Sequence, residues 1–219
     1  MTSPAALLDR LVRQLRPGYG FRREGGDVST SETLRWRRSD GRSLEVLRLY
    51  GTPSGVIAHS NVVDASEHAF GVEYHWTLDA AWRTQSLQLR VVHTTVHSLF
   101  IERADDAAWR IDGIHRTDLD GCEEIDLSIT PFCNTLALRR FGPPPGGAGE
   151  LTTLYLGFPD DSPIPSRQRY ERLDDRVFKY VDLGRYSGFE ARVTVDEHGL
   201  VQTYEGLFER IEPGRQHDG

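Results

Sequence analysis

Between Asp118 and Phe141 the chain concentrates the residue types that do chemistry. Cys122 and Cys133, the acids Asp120, Glu123, Glu124 and Asp126, and the adjacent cations Arg139 and Arg140 all fall in this one span. Thiols suggest a metal or a nucleophile. Zinc takes four ligands from short, fixed spacings, and the two cysteines here lack CxxC partners. A small, inert, buried thiol is the ordinary reading of each. His93 and His97 form an HxxxH pair, but their flanks alternate like strands. Four residues along a strand separate them by roughly 13 Å, too far for one ion. They read as exposed polar histidines, and no metal or other cofactor is expected. No GxSxG elbow, GxxxxGK[ST] loop or dinucleotide fingerprint occurs in the chain.

The acids are the more informative signal. On a strand Glu124, Asp126 and Ser128 share one face, while Ile125, Leu127 and Ile129 share the other. A carboxylate turned inward needs a partner, because an unpaired buried charge is costly. Arg139 and Arg140 are the nearest cations. They too read as strand residues, so only one shares the side of Asp126, and the other faces solvent or a ligand. Thr130 to Thr135 reads as a specific connection between those two strands, with Pro131 unable to donate to a ladder.

The elements that must hold these residues are mostly short strands. Residues 4–16 carry Leu7, Leu8, Leu11, Val12 and Leu15 at helical spacing, with Pro17-Gly18 as the stop, and predict an amphipathic helix docked on the body of the protein. From Leu34 the period becomes two. Phe70, Val72, Tyr74, Trp76 and Leu78 alternate with polar residues, and Leu87, Leu89 and Val91 follow. Later, Phe189, Ala191, Val193 and Val195 lead into Asp196–Gly199, where Gly199 can take a positive φ. The proline run Gly142–Gly149 is a loop, not a strand. About ten strands in one domain are expected. The fold class is mainly β, a single curled antiparallel sheet forming a roll or half-barrel, with an N-terminal helix. Its parts are residues 1–33 (helix and connection), 34–211 (the β domain) and 212–219 (a polar tail).

The totals set limits. The chain has 219 residues and a formal net charge of −7, against the basic character of proteins that track nucleic-acid phosphates. No apolar run approaches the ~20 residues of a membrane helix. Asp9, Arg10 and Arg13 interrupt the leucines near the N-terminus, unlike a secretory leader, so a cytoplasmic location is expected.

The stretch GCEEIDLSITPFCNTLALRR resembles the signature of a glycolipid-binding family of bacterial proteins whose function is otherwise unknown. Gly121, Cys122, Asp126, Ser128, Thr130, Pro131, Phe132, Asn134, Thr135, Leu136, Arg139 and Arg140 carry the likeness. Tyr155, Gln168, Tyr170, Tyr180, Phe189, Asp196, Gly199 and Tyr204 fit its C-terminal pattern, and residues 34 to 211 are covered. Cys133, Ala137 and Phe141 stand where threonine, proline and leucine are usual, and Glu205 where a proline often follows the tyrosine. Loss of that proline at 137 suggests a more regular second strand. The resemblance implies a spiral β-roll with an internal or cleft-like apolar cavity, similar to bacterial lipid and lipoprotein carriers. The expected activity is non-enzymatic binding of an amphipathic small molecule such as a glycolipid. The apolar face of the roll takes the chain, and Asp126, Asn134, Arg139, Arg140, Gln168, Tyr170 and Tyr180 are the candidates for meeting the head group. A rival reading is a hydrolase or isomerase using a recessed Asp126 with an arginine, and a third is a protein-interaction module.

Overall fold

The computed structural model describes residues 31–104 and 107–212. The helix expected over residues 4–16, the turn acids Asp105 and Asp106, and the tail from Pro213 lie outside the described residues. The first half is a meander of eight strands: β1 (Ser31–Arg38), β2 (Ser43–Thr52), β3 (Gly55–Asp64), β4 (Phe70–Asp79), β5 (Thr84–Val92), β6 (Val96–Arg103), β7 (Trp109–Ile111) and β8 (Ile114–His115). A short 3₁₀ turn, Thr117–Leu119, leads to β9 (Glu124–Leu127) and the helix α1 (Phe132–Phe141). The second half runs through β10 (Ala148–Leu156), β11 (Ile164–Asp174), β12 (Val177–Asp182), β13 (Glu190–Val195), β14 (Val201–Tyr204) and β15 (Phe208–Arg210).

All fifteen strands form one curled sheet with β8 and β9 at its two ends. Its centre is the pairing of the first strand with the last, where Trp36 opposes Arg210. Every pairing is antiparallel except β9 with β10, where α1 supplies the crossover that parallel neighbours require. The count exceeds ten in part because β3 hides behind a polar middle, His59-Ser60-Asn61, and because β8, two residues long, shows no period.

Alternation directs one face inward. Trp36, Leu47, Ala58, Trp76, Leu87, Ile101 and Trp109 are buried on the inner face of the first half. Burial at roughly 25 cal/mol per Å² of apolar surface is the main stabilising term for such a face. The indoles also find partners. Trp36 Nε1 donates to Val201 O at 3.0 Å, joining the two halves, and Trp109 Nε1 donates to Cys122 O at 2.9 Å.

The second strand expected after Pro131 is instead α1. The Leu136-Leu138 alternation imitates a strand, but Leu-Ala-Leu-Arg-Arg is a run of strong helix formers. Pro131 precedes the first turn, where its missing N–H costs nothing. The helix ends with Gly142 N–H donating to Leu138 O at 2.8 Å, before Pro143. Arg139 and Arg140 in the last turn complement the helix dipole. α1 lies within the curl, with Phe132 and Leu136 fully buried and Phe132 edge-on to Trp76 at 5.8 Å. The apolar inner face expected to receive an acyl chain is therefore covered along this stretch by the helix.

Candidate functional site

β9 is covered on both faces, so the acids that alternate along it do not face solvent together. Glu124 is fully buried. It accepts hydrogen bonds from the Thr84 hydroxyl and from Ile125 N–H, and Trp76 Nε1 in turn donates to Thr84 Oγ1 at 2.7 Å. Arg140 Nη1 lies 3.5 Å from Glu124 Oε2 and donates to Glu123 O at 2.6 Å. Burial raises the Glu124 carboxyl above its ordinary value, against those hydrogen bonds and the arginine charge. This group ties the end of α1 to both halves of the sheet.

Asp126, two residues along, has a different setting. It is partly exposed and forms no ion pair among the described residues. Gln168 Nε2 donates to its Oδ2 and, at 3.1 Å, to Thr153 Oγ1. Gln168 Oε1 accepts from the Tyr170 hydroxyl at 3.3 Å, and Asn134 Nδ2 donates to that same hydroxyl at 2.8 Å. Cross-strand register explains the convergence. Tyr155 lies beside Asp126, Asp182 opposes Gln168, and Tyr180 opposes Tyr170. Tyr180 donates to Asp182 Oδ2 at 3.2 Å, while Asp182 Oδ1 accepts the Gly184 and Tyr186 N–H groups.

The aromatic rings continue outward from this point. Tyr170 packs edge-on to Tyr180 at 5.5 Å, and Tyr180 to Tyr204 at 5.6 Å. Phe189 lies 6.2 Å from Tyr180, and Tyr155 meets Tyr186 at 5.9 Å with their hydroxyls 3.4 Å apart. Tyr186 and Phe189 are exposed, at 52% and 36%, and form the outer rim. Burial pushes the Asp126 carboxyl up to about 6 against the Gln168 hydrogen bond, and the nearby Asp182 charge adds to the rise. The Asp126 charge in turn helps raise the phenols of Tyr155, Tyr170, Tyr180 and Tyr204, each shifted upward mainly by burial. One carboxylate thus lies among four tyrosines, two amides and a second acid. The tyrosines, amides and Asp182 are themselves buried and largely bonded to one another, with half-buried Asp126 at their edge, where a carboxyl near neutrality can exchange a proton.

A family model described as "Putative glycolipid-binding" matches residues 33–210. The chain belongs to this family. A crystal structure of a DUF1089 family protein from Pseudomonas aeruginosa is similar, at 34% identity and a TM-score of 0.71. The match covers 80% of this chain and 95% of that one. Among curated proteins no relative matches it.

Within this family member, five of the seven residues singled out in the sequence converge: Asp126, Asn134, Gln168, Tyr170 and Tyr180. The two arginines do not join them. A strand would have turned one arginine toward Asp126, whereas the helix turns both elsewhere. Arg140 reaches Glu123 and Glu124, and the Arg139 guanidinium stacks 3.8 Å from the Trp82 ring centre and donates to His198 O. Sequence reasoning missed Asp182 and Tyr186 and gave Tyr155, Phe189 and Tyr204 no role in the site. The inward alternation Phe178, Tyr180, Asp182 was the available signal for Asp182.

The cysteines are free, buried and inert. Burial pushes Cys122 up to about 11 and Cys133 upward as well. Cys133 Sγ accepts the Leu127 N–H at 3.1 Å, so its role is to hold α1 on β9. His97 is exposed as expected, but His93 is mostly covered and lies 3.1 Å from Asp160. No group of three potential metal ligands converges among the described residues. No helix among them is long and apolar enough to cross a membrane.

Proposed function

We propose that the protein binds the hydroxyl-rich head group of an amphipathic ligand, of the glycolipid kind, around Asp126. The observation that carries this reading is the acceptor carboxylate of half-buried Asp126, free of any ion pair among the described residues and set among tyrosine hydroxyls and amides. Carboxylates, amides and aromatic rings are the groups that hold a polyhydroxyl ligand, accepting and donating hydrogen bonds while the rings cover its apolar faces. The family description, which speaks of glycolipid binding, supports the same reading. The exposed rim of Tyr186 and Phe189 would meet the apolar part next to the head group, since α1 covers much of the inner face.

Isothermal titration with octyl glucoside, joined to native mass spectrometry of protein purified from its own cells, tests the reading. Asp126→Asn should weaken glycoside binding about tenfold, the usual scale for a hydrogen bond to a charged acceptor. Absence of any co-purifying lipid together with no measurable glycoside binding would discard it. An enzymatic reading retains one specific support, the Asp126 carboxyl raised to about 6. It requires turnover of a glycoside with a pH profile governed by one group near that value, abolished by the same substitution.

A further inference from the structure

The outer face of the first meander carries an apolar strip that the Asp126 site does not use. Leu44 opposes Val63, Val63 opposes Gly71, Gly71 opposes Val92, and Val92 opposes Val96, making one row across β2 to β6. All four aliphatic side chains are exposed, at 52%, 62%, 40% and 58%, and Val46 in the adjacent outward row is exposed at 46%. Leu44 with Val63 and Val92 with Val96 are directly opposed neighbours, and Gly71, which has no side chain, lies between the two pairs. Ten large hydrophobic residues are exposed among the described residues, and half of them lie in this strip. Scattered exposed aliphatics need no explanation, but a registered row does.

The surroundings indicate an occupant. Alternation places Arg35, Arg37, Arg48 and Arg90 on the same outward face, on a chain whose formal net charge is −7. Glu209 pairs with Arg37 at 3.2 Å, and Glu73 lies opposite Arg90 and 3.3 Å from His59, so these four arginines stand against two nearby acids. Four inter-strand steps carry the strip over roughly 19 Å, and two rows make it only about 7 Å broad. Such an area falls well short of the ~800 Å² per partner of a stable dimer. Shallow burial of aliphatic side chains beside arginines is instead enough for reversible attachment to an anionic bilayer, where both contributions add.

We propose that the Leu44–Val63–Val92–Val96 strip docks this protein on an anionic lipid surface. The proposal stands independently of any ligand at Asp126. Co-sedimentation of the full chain with phosphatidylglycerol–phosphatidylcholine vesicles should show binding about tenfold stronger than to pure phosphatidylcholine, and raising NaCl from about 0.1 to 0.5 M should reduce it severalfold. The double variant Val63→Glu/Val92→Glu, in which both side chains already face water, should keep the far-UV spectrum and lose most binding. If that variant misfolds, Arg35→Gln/Arg90→Gln should abolish the preference for anionic vesicles. No binding to anionic vesicles, or undiminished binding by folded variants, overturns the proposal. So does light scattering that finds a dimer which Val63→Glu/Val92→Glu converts to a monomer, since the strip would then join two copies. Loss of binding on Leu8→Glu/Leu11→Glu, with the strand variants unaffected, also overturns it.

Discussion

The two halves of the curled sheet share a backbone plan but differ in what they turn inward. The first half presents Trp36, Leu47, Trp76, Leu87 and Ile101, with two buried acids: Glu45, held by the Ser60 and Tyr74 hydroxyls at 2.7 Å each, and Asp64, paired with Arg38 at 2.6 Å. The second half presents Gln168, Tyr170, Tyr180, Asp182 and Tyr204. Apolar alternation stabilises the first half strongly, and its two buried acids are held by partners within that half. Polar-aromatic alternation in the second half surrounds half-buried Asp126, which has no ion pair among the described residues. Scaffold and site are thus divided along the chain, with α1 and the β1–β15 pairing holding them together.

Trp76 offers the largest test of that division. Trp76→Ala should cost about 4 kcal/mol in urea unfolding, the usual scale for emptying a buried indole site. It also removes the hydrogen bond to Thr84. A loss below about 1 kcal/mol would break the comparison, because the first half would not be the scaffold.

Glu45 separates the halves by pH. Burial holds its carboxyl at about 7 in the folded chain, against 4.5 ordinarily. The folded state therefore keeps a proton that the unfolded state releases, and stability present below pH 4.5 is lost as pH rises through about 7. Asp126, raised from 3.8 to about 6, acts in the same direction over a lower window. Thermal melts should lose several kcal/mol of stability between these limits, about 3 kcal/mol through each group. Glu45→Gln should remove about half of the slope without altering glycoside binding. A slope unchanged in that variant would assign the effect elsewhere.

The smallest effect belongs to the second half. Tyr180→Phe removes a hydroxyl that donates to Asp182, and should cost no more than about 1 kcal/mol of stability. Glycoside affinity should nevertheless fall severalfold in the same variant. Unchanged glycoside affinity would make Tyr180 a packing residue and sharpen the site to Asp126, Gln168 and Asn134.

Much of this was legible without coordinates. Period-two runs such as Phe70–Leu78 read as strands because one face must be buried, and they are strands. Gly199 was expected at a positive φ and takes 75°, since the Asp196 turn needs a residue without a Cβ. The segment after Pro131 misled because a short apolar alternation fits a helix and a strand equally well. That one error sent Arg139 and Arg140 to the wrong partners, while the residues on true strands converged.

Local pattern alone determined which residues alternate, where turns fall, and that Asp126 would point away from Ile125 and Leu127. It could not determine which cation each acid meets, because such pairings depend on the direction of α1 and on strands distant in the chain. Glu124 and Asp126 lie two residues apart on one strand, yet one meets Arg140 and the other Gln168. Only the curl of the sheet around α1 made that distinction, by bringing Thr84 and Arg140 to the first and β11 to the second.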